Sequence, residues 1–60
     1  MRQERNVDMT DVESGDWVEI NGGDFDAPVL EVYFDEYGYT VIFENGKTYD
    51  GNFSDAVTIV

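Results

Sequence analysis

The dipeptide Asn45-Gly46 stands between two stretches of alternating apolar and polar residues, and no other feature of the chain constrains the fold as strongly. Before the dipeptide, Tyr39, Val41 and Phe43 would share one face of a strand, and the alternation resumes after it. Asn and Gly most readily take the positive φ angles of a type I′ turn. The sequence therefore predicts an antiparallel β-hairpin with a type I′ turn at this dipeptide.

The same two-residue period predicts a strand earlier in the chain. Val18 and Ile20 alternate with Trp17 and Glu19, which is the pattern of a strand that is buried on one face. The segment GGDFDAP then interrupts the alternation with two glycines, two aspartates and a proline. Because these residues favour turns, we expect a loop of irregular backbone after the strand.

Three further segments complete the predicted β-structure. Residues 29–35 (VLEVYFD) place apolar side chains at both odd and even positions. Either a bulge shifts the phase of the strand or both of its faces are covered, and we favour the bulge. Residues 51–56 (GNFSDA) indicate a loop or single 3₁₀ turn with Phe53 facing the core, and residues 57–60 (VTIV) form the final strand. Together with the hairpin and the strand that contains Val18 and Ile20, these segments make five short strands.

Residues 1–14 show the apolar period of neither a helix nor a strand. An isolated helical turn is marginal in water, so we expect this segment to be a mobile tail. The predicted organisation is therefore a tail over residues 1–14 and one β-domain over residues 15–60.

Length and charge restrict the class of protein. Sixty residues allow one domain at most, and the absence of cysteine leaves its stability to side-chain packing. Fourteen Asp and Glu against three Lys and Arg give a formal net charge of -11. This charge opposes contact with DNA, RNA or anionic lipid, and no apolar run approaches the roughly 20 residues that span a bilayer. We expect a soluble cytoplasmic protein, in the host cytoplasm if viral, that binds neither nucleic acid nor membrane directly.

The residue types argue against catalysis and against a dedicated cofactor or metal site. The chain has no histidine and no cysteine, so no Ser-His or Cys-His pair can form. Asp24 with Asp26, and Asp50 with Asn52 and Asp55, bring oxygen ligands together, but neither group has the spacing of a calcium loop. Asp and Asn side chains also shape turns through hydrogen bonds to the backbone. The sequence predicts a protein that is not an enzyme and has no cofactor or metal.

The order of strands and turns resembles an SH3-like small barrel of the KOW or Tudor kind. The resemblance covers residues 15–60 and depends on GDWVEI, VLEVYFDEYGYTVIFENG and the closing FSDAVTIV. It implies an all-β fold, namely a five-stranded antiparallel SH3-like barrel with a 3₁₀ turn before the last strand. An open antiparallel meander and an OB-like barrel remain alternatives. In size and charge, the chain is also similar to small phage-encoded inhibitors of restriction and CRISPR systems.

The aromatic residues divide into predicted core and predicted contact residues. Trp17 and Tyr37 are expected to point outward, because of strand phase and turn position respectively. An aromatic cage for a methylated cation would need several converging rings, and Tyr33 is a further candidate by type. We favour a core role for the rings of Tyr39, Phe43, Tyr49 and Phe53.

The excess of negative charge has two explanations. Proteins that live in molar salt carry dense surface carboxylates, whose repulsion is screened because the Debye length is only about 3 Å at 1 M. The chain would then be an SH3-like protein-interaction module of a halophile. Alternatively, the carboxylates imitate phosphates, since alternate strand residues lie about 6.6 to 6.8 Å apart, roughly twice the phosphate step on one DNA strand. The scarcity of alanine and arginine favours imitation over salt adaptation.

We therefore predict a non-catalytic acidic binding protein, a monomer or small homodimer, that docks on the basic surface of a nucleic-acid-binding protein or complex. It would act as a nucleic-acid mimic of the anti-CRISPR or anti-restriction type, and its binding would weaken with salt. Reversal of Asp35, Glu36 and Glu44 to lysine is expected to abolish binding. The predicted contact residues are Trp17, Glu19, Asp24, Asp26, Glu31, Asp35, Glu36, Tyr37, Glu44, Asp50 and Asp55.

Overall fold

The computed structural model describes residues 5–60, which form two antiparallel β-sheets and one short 3₁₀ helix. The strands are β1 (Arg5–Val7), β2 (Val18–Ile20), β3 (Gly23–Asp24), β4 (Val29–Phe34), β5 (Gly38–Phe43), β6 (Thr48–Asn52) and β7 (Val57–Ile59), and the 3₁₀ helix is Met9–Asp11. Sheet 1 has the strand order β1-β7-β2-β3, and sheet 2 has the order β4-β5-β6. No helix in this part of the chain is both long enough and apolar enough to cross a membrane.

The all-β class predicted from the sequence is confirmed, whereas the predicted count of five strands is wrong. The described residues form seven strands, and these lie in two antiparallel sheets. The two strands that the sequence did not predict are β1, with three residues, and β3, with two. Neither lies in a run of alternating residues long enough to be read, because alternation becomes recognisable only over about four residues.

β1 lies within the segment predicted to be a mobile tail. Its residues pair antiparallel with β7, and Arg5 lies opposite Ile59. Met9, in the 3₁₀ helix that follows, is buried in the core. The prediction of a tail is therefore wrong where β1 and the 3₁₀ helix lie, because a distant strand orders a segment that has little local preference of its own. Residues 1–4 of the predicted tail lie outside the described residues.

A two-residue hairpin turn joins β2 to β3, where the sequence predicts an irregular loop. Asn21 and Gly22 form the turn, with φ angles of 51° and 80°. Positive φ at both positions is what a type I′ turn requires. The prediction is wrong at this point, because Asn21-Gly22 has the geometry that was expected at Asn45-Gly46.

Asn45-Gly46 forms the predicted hairpin between β5 and β6, but the predicted type I′ turn is wrong. Of the two residues, only Gly46 has a positive φ, of 88°. Its N–H donates to the carbonyl of Phe43 (3.0 Å), and the N–H of Phe43 donates to the carbonyl of Lys47 (2.8 Å). These bonds match a type I turn followed by a glycine bulge. The Asn45 side chain donates to the carbonyl of Phe25 (3.0 Å) and so ties the turn to the neighbouring loop.

The core lies between the two sheets, and the predicted inner faces of β2 and β5 both point into it. The buried apolar residues are Met9, Val18, Ile20, Ala27, Val29, Tyr39, Val41, Phe43 and Val57. Full burial of a side chain such as Val or Phe stabilises the fold by about 1.5–3 kcal/mol. The most deeply buried side chains, which therefore contribute strongly, are Val29, Val41 and Phe43.

A cluster of three rings closes one end of this core. The rings of Phe25 and Phe43 stack with centroids 4.4 Å apart, and Phe25 meets the edge of Tyr49 at 5.3 Å. Tyr49 is partly buried against the core, as is Phe25. Aromatic pairs of this geometry add to the stability that burial provides. We call these three residues the Phe25 cluster.

β4 contains the predicted bulge. Its register with β5 shifts between Val29 and Glu31. The intervening residue, Leu30, is exposed. Val29 before the bulge is buried and Val32 after it packs against the core, which explains why apolar residues occur at both odd and even positions of this strand.

The turn before β7 has the hydrogen bond of the predicted single 3₁₀ turn, but its phenylalanine does not face the core as predicted. The N–H of Asp55 donates to the carbonyl of Asn52 (3.1 Å), which closes a single turn. Phe53, predicted to face the core, is 58% exposed. The inward space is occupied by Tyr39, whose hydroxyl reaches the carboxylate of Asp55. The prediction for Phe53 is therefore wrong, because another ring already fills the core beneath it.

Candidate protein-docking surface

The fold distributes the predicted contact residues over several separate places. On the outer face of sheet 1, Glu19 and Asp24 lie directly opposite each other on β2 and β3. Cross-strand partners share a face, so these two carboxylates are neighbours of like charge. Trp17, which precedes β2, is 48% exposed. This face offers negative charge together with one large ring.

The outer face of sheet 2 holds two more predicted contacts, and each accepts a hydrogen bond from a neighbouring hydroxyl. Tyr33 donates to Glu31 (2.6 Å), and Thr40 donates to Asp50 (2.6 Å). The hydrogen bond to Glu31, with the negative charge of that carboxylate, raises the pKa of Tyr33. Both carboxylates therefore have partners that hold them on the strand face.

Three predicted contacts form the turn between β4 and β5. The carboxylate of Asp35 accepts the N–H of Tyr37 (2.7 Å) and the N–H of Gly38 (2.8 Å). The Asp35 side chain thus shapes the turn by binding the backbone of the residues that follow it, as is common for Asp. Glu36 is exposed, and Tyr37 is 81% exposed. Asp35 is exposed as well, but its carboxylate already accepts two backbone hydrogen bonds, so Glu36 and Tyr37 are the side chains of this turn that can adapt to a partner.

Two further predicted contacts lie at the opposite end of β5. The carboxylate of Asp26 is 3.4 Å from the ammonium of Lys47, and both side chains are exposed. Glu44 follows β5, whereas Asp35 and Glu36 precede it. The six residues of β5 separate them by about 20 Å. Reversing Asp35, Glu36 and Glu44 to lysine would therefore alter two distant surfaces at once.

Asp55 is held within a hydrogen-bond network. Its Oδ2 accepts the hydroxyl of Tyr39 (2.8 Å) and the N–H of Asn52 (3.1 Å), and its Oδ1 accepts the side-chain amide of Asn21 (3.1 Å). These bonds, the one from Tyr39 foremost, lower the pKa of Asp55. Burial, together with the same hydrogen bond, raises the pKa of Tyr39. A Cβ at Gly51 would overlap the Tyr39 ring and the Asp55 carboxylate, so the network requires glycine there.

An exposed pair of phenylalanine rings lies beside this network, and the sequence did not predict it. The rings of Phe34 and Phe53 are stacked, with centroids 6.3 Å apart and planes inclined by 8°. Phe34 is 47% exposed and is the cross-strand partner of Tyr39. The pair therefore continues the inner face of sheet 2 beyond its covered part. The available signal was an apolar residue at the last position of a strand, directly before an acidic turn.

A pocket of about 170 Å³ opens beside Phe53. It lies between the 3₁₀ helix and the turn before β7. Asp8, which precedes the 3₁₀ helix, makes no capping hydrogen bond to it and is exposed, so its carboxylate is available to a ligand. The pocket is lined by the rings of Phe53 and Tyr39, the apolar side chains of Met9 and Val57, the carboxylates of Asp8 and Asp55, and the polar residues Thr10 and Asn52.

The exposed pair, the pocket and one acidic turn adjoin each other. Gly38 pairs with Asn52, so the turn that contains Tyr37 and the turn that contains Phe53 begin side by side on β5 and β6. Exposed apolar surface bordered by polar groups is typical of protein contact sites. We call this surface the aromatic end, and define it as Phe34, Glu36, Tyr37 and Phe53 together with the pocket.

Other arrangements suggested by the sequence are not brought together by the fold. Among residues 5–60, no stacked or edge-on ring pair includes Trp17, Tyr33 or Tyr37. Within the same residues, no group of three acidic side chains is placed to hold a metal ion. Asp24 instead accepts the N–H of Asp26 (3.0 Å), which confirms its turn-shaping role. Comparisons with protein-family models, curated proteins and solved structures found no match to this chain.

Proposed function

We propose that this chain is a non-catalytic acidic binding protein that docks on the basic surface of a nucleic-acid-binding protein or complex. The supporting observation is that its charge is not neutralised internally. All acidic residues except Glu4 lie within residues 5–60, and the Lys47–Asp26 contact is the one ion pair formed there. A surface of this kind attracts a basic partner and accelerates the encounter with it.

The proposed mode of action is competition with nucleic acid. Lys and Arg side chains that normally hold phosphates would pair with the exposed carboxylates, and affinity would fall as salt rises. Hydrogen bonds hold Glu31, Asp50 and Asp55 in position before any partner arrives. Preorganised groups lose less conformational freedom on binding. The protein would thus inhibit a nucleic-acid-handling complex, as anti-restriction and anti-CRISPR proteins do.

We also infer that the two sheets are parts of one small SH3-like barrel. The N–H of Gly15 donates to the carbonyl of Val29 (2.8 Å), and the N–H of Val29 donates to the carbonyl of Asp16 (2.8 Å). These bonds connect the segment before β2 to β4, and so join sheet 1 to sheet 2 along one side. Such a barrel presents its turns for contact on a rigid support.

Displacement of nucleic acid from purified enzymes tests the proposed function. A fluorescent DNA duplex is bound to each of several restriction and CRISPR nucleases, and the full chain is titrated while anisotropy is measured. We expect the duplex to be displaced, and displacement to weaken between about 50 and about 200 mM salt. Lack of displacement from every enzyme at both salt concentrations would contradict the proposal.

A matched pair of variants locates the contact within the same assay. Glu36→Gln and Glu13→Gln each remove one exposed carboxylate, but only Glu36 belongs to the aromatic end. We expect Glu36→Gln to be a weaker competitor and Glu13→Gln to match the unmodified chain. Equal effects of the two variants would mean that only overall charge matters.

The placement of carboxylates on both outer faces favours a second candidate function. Glu19 and Asp24 lie on one sheet and Glu31 and Asp50 on the other, which is the even distribution expected of an interaction module from a halophile. Circular dichroism and thermal melting in about 20 mM and in about 3 M KCl separate the candidates, because the higher salt screens repulsion almost completely. Unfolding at low salt with recovery at high salt supports salt adaptation. Full folding at low salt supports the competitor.

A further inference from the structure

The pocket of the aromatic end contains a carboxylate that is fixed but not saturated. The Oδ2 of Asp55 accepts two hydrogen bonds, whereas its Oδ1 accepts one, from Asn21. Each carboxylate oxygen has two lone pairs, so one acceptor position on Oδ1 remains for a ligand. Tyr39 and Asn21 already hold this oxygen-bearing group in place, which reduces the entropy lost when a ligand binds.

The rest of the pocket suits a cation on an apolar stem. Asp8 adds a second carboxylate, free of any capping bond, while Met9 and Val57 provide apolar lining in the same pocket. Long basic side chains place their methylene groups on apolar surface and extend the charge toward polar partners. The pocket has this combination of apolar and anionic groups.

Phe53 determines which basic side chain fits best. Its ring lines the pocket and is supported by the stacked ring of Phe34. A guanidinium is planar, stacks on aromatic faces and pairs with carboxylates through two parallel bonds, whereas an ammonium is a compact and strongly hydrated point charge. The volume of about 170 Å³ exceeds the roughly 150 Å³ of a cavity known to admit benzene, so a planar group of that size can enter.

We propose that this pocket receives an arginine side chain of the protein partner, stacked on Phe53 and paired with Asp8 and Asp55. The occupant is a segment of a basic protein, because a net charge of -11 complements such a segment and repels an acidic one. The inference rests on the proposed function for the origin of the arginine, and it names one contact of that docking surface.

Nuclear magnetic resonance of the full, isotope-labelled chain tests the pocket directly. The probe is the peptide acetyl-Gly-Arg-Gly-amide, and the matched control peptide has citrulline, which is uncharged and of similar shape, in place of arginine. We expect saturable shifts of the amides of Asp8 and Phe53 with arginine, smaller shifts with a lysine peptide and none with citrulline. Equal responses to arginine and citrulline would overturn the proposal, as would saturable shifts confined to Glu19 and Asp24.

Two matched pairs of variants identify the groups that hold the arginine. Phe53→Ala is expected to weaken binding of the arginine peptide about fivefold, the range of a cation–π contact. Leu30→Ala, at another exposed apolar position, should leave this affinity unchanged. Asp8→Asn is expected to weaken binding of the arginine peptide about two- to fivefold, the range of an exposed ion pair. Glu13→Gln again serves as the control. Melting curves establish that each variant is folded. If both Phe53→Ala and Asp8→Asn fold and bind as the unmodified chain does, the pocket is not the site.

The peptide titration and the displacement assay fail independently. A chain that displaces DNA but shows no preference for the arginine peptide retains the proposed function and overturns the arginine pocket. A chain that binds the arginine peptide through Phe53 but displaces DNA from no enzyme retains the pocket and contradicts competition with nucleic acid.

Discussion

Two stacked phenylalanine pairs lie at opposite ends of β5, and they differ in what covers them. Phe25 and Phe43 stack at 4.4 Å, with Tyr49 at their edge, and Phe43 is buried. Phe34 and Phe53 stack at 6.3 Å, and about half of each is exposed. The first pair uses its apolar surface to close the core, whereas the second has surface left for a partner. What covers a ring, and not its residue type, therefore decides whether it stabilises the core or remains available for contact.

The largest expected effect comes from removing one ring of each pair. Phe43→Ala is expected to cost about 3–5 kcal/mol, because it leaves a cavity in the core, and a domain of this length has little more stability than that. Phe53→Ala should cost less than about 1 kcal/mol, as surface substitutions generally do. Urea unfolding followed by circular dichroism measures both. Similar losses for the two variants would abolish the distinction between the pairs.

Gly51→Ala is the next largest change, because Gly51 lies where the core meets the aromatic end. The added methyl group would overlap the Tyr39 ring and the Asp55 carboxylate, and overpacking of this kind costs about 1–3 kcal/mol. Thr48→Ala, at an exposed position on the same strand, is the control and should change little. The free energies of unfolding in urea provide the comparison. A fully stable Gly51→Ala would mean that this region is loosely packed.

The effect of Tyr39→Phe on the free energy of unfolding should depend on pH. Loss of the hydroxyl should cost about 1 kcal/mol near neutral pH, the usual net value of a hydrogen bond. The pKa of Asp55 is lowered by folding, so this stabilisation is present above the ordinary value of 3.8 and is lost as pH falls below it. The pKa of Tyr39 is raised by folding, so the stabilisation is also lost as pH rises above 10.

Unfolding free energies across the pH range, for the unmodified chain and Tyr39→Phe, measure this effect as a difference. The difference should be largest at intermediate pH and should shrink at both extremes. Tyr33→Phe is the matched control, because its hydroxyl also binds a carboxylate, that of Glu31, but on an exposed face. A difference that is constant over the whole pH range would show that Tyr39 and Asp55 are not coupled in solution.

The smallest expected effect concerns the charged residues near the Phe25 cluster. Lys47→Gln removes the ion pair with Asp26, which is exposed at both ends. Exposed pairs contribute at most about 0.5–1 kcal/mol and are weakened by salt. We therefore expect a small loss of stability at low salt that disappears at high salt. A large loss would mean that this end, like the other, depends on a fixed carboxylate.

Alternation allowed the sequence to predict the central strands correctly. The inner faces of β2 and β5, the hairpin at Asn45-Gly46 and the bulge after Val29 follow from local periods and from local turn chemistry. The outward positions of Trp17 and Tyr37 follow from the same reasoning. These features depend on residues that are near each other in the chain, which is why a single sequence reveals them.

The remaining features depend on contacts between distant residues. β1 exists because β7 pairs with it, and Phe53 points outward because Tyr39, fourteen positions earlier in the sequence, fills the space beneath. The turn type at Asn45 likewise depends on a hydrogen bond to Phe25. The candidate pocket combines Asp8 with Asp55, and no spacing rule connects two carboxylates that far apart along the chain.

The position of β7 between β1 and β2 determines the order in which this molecule can fold. The hairpins of sheet 2 are local and can close as soon as their residues have been synthesised, whereas β1 has no strand to join until Val57–Ile59 is present. Closing so long a loop is slow, because its entropy must be lost before the contacts form. During synthesis, sheet 2 and the β2–β3 hairpin would therefore precede the pairing of β7 with β1 and β2, and the pocket, which needs both Asp8 and Val57, would be the last part of the surface to form.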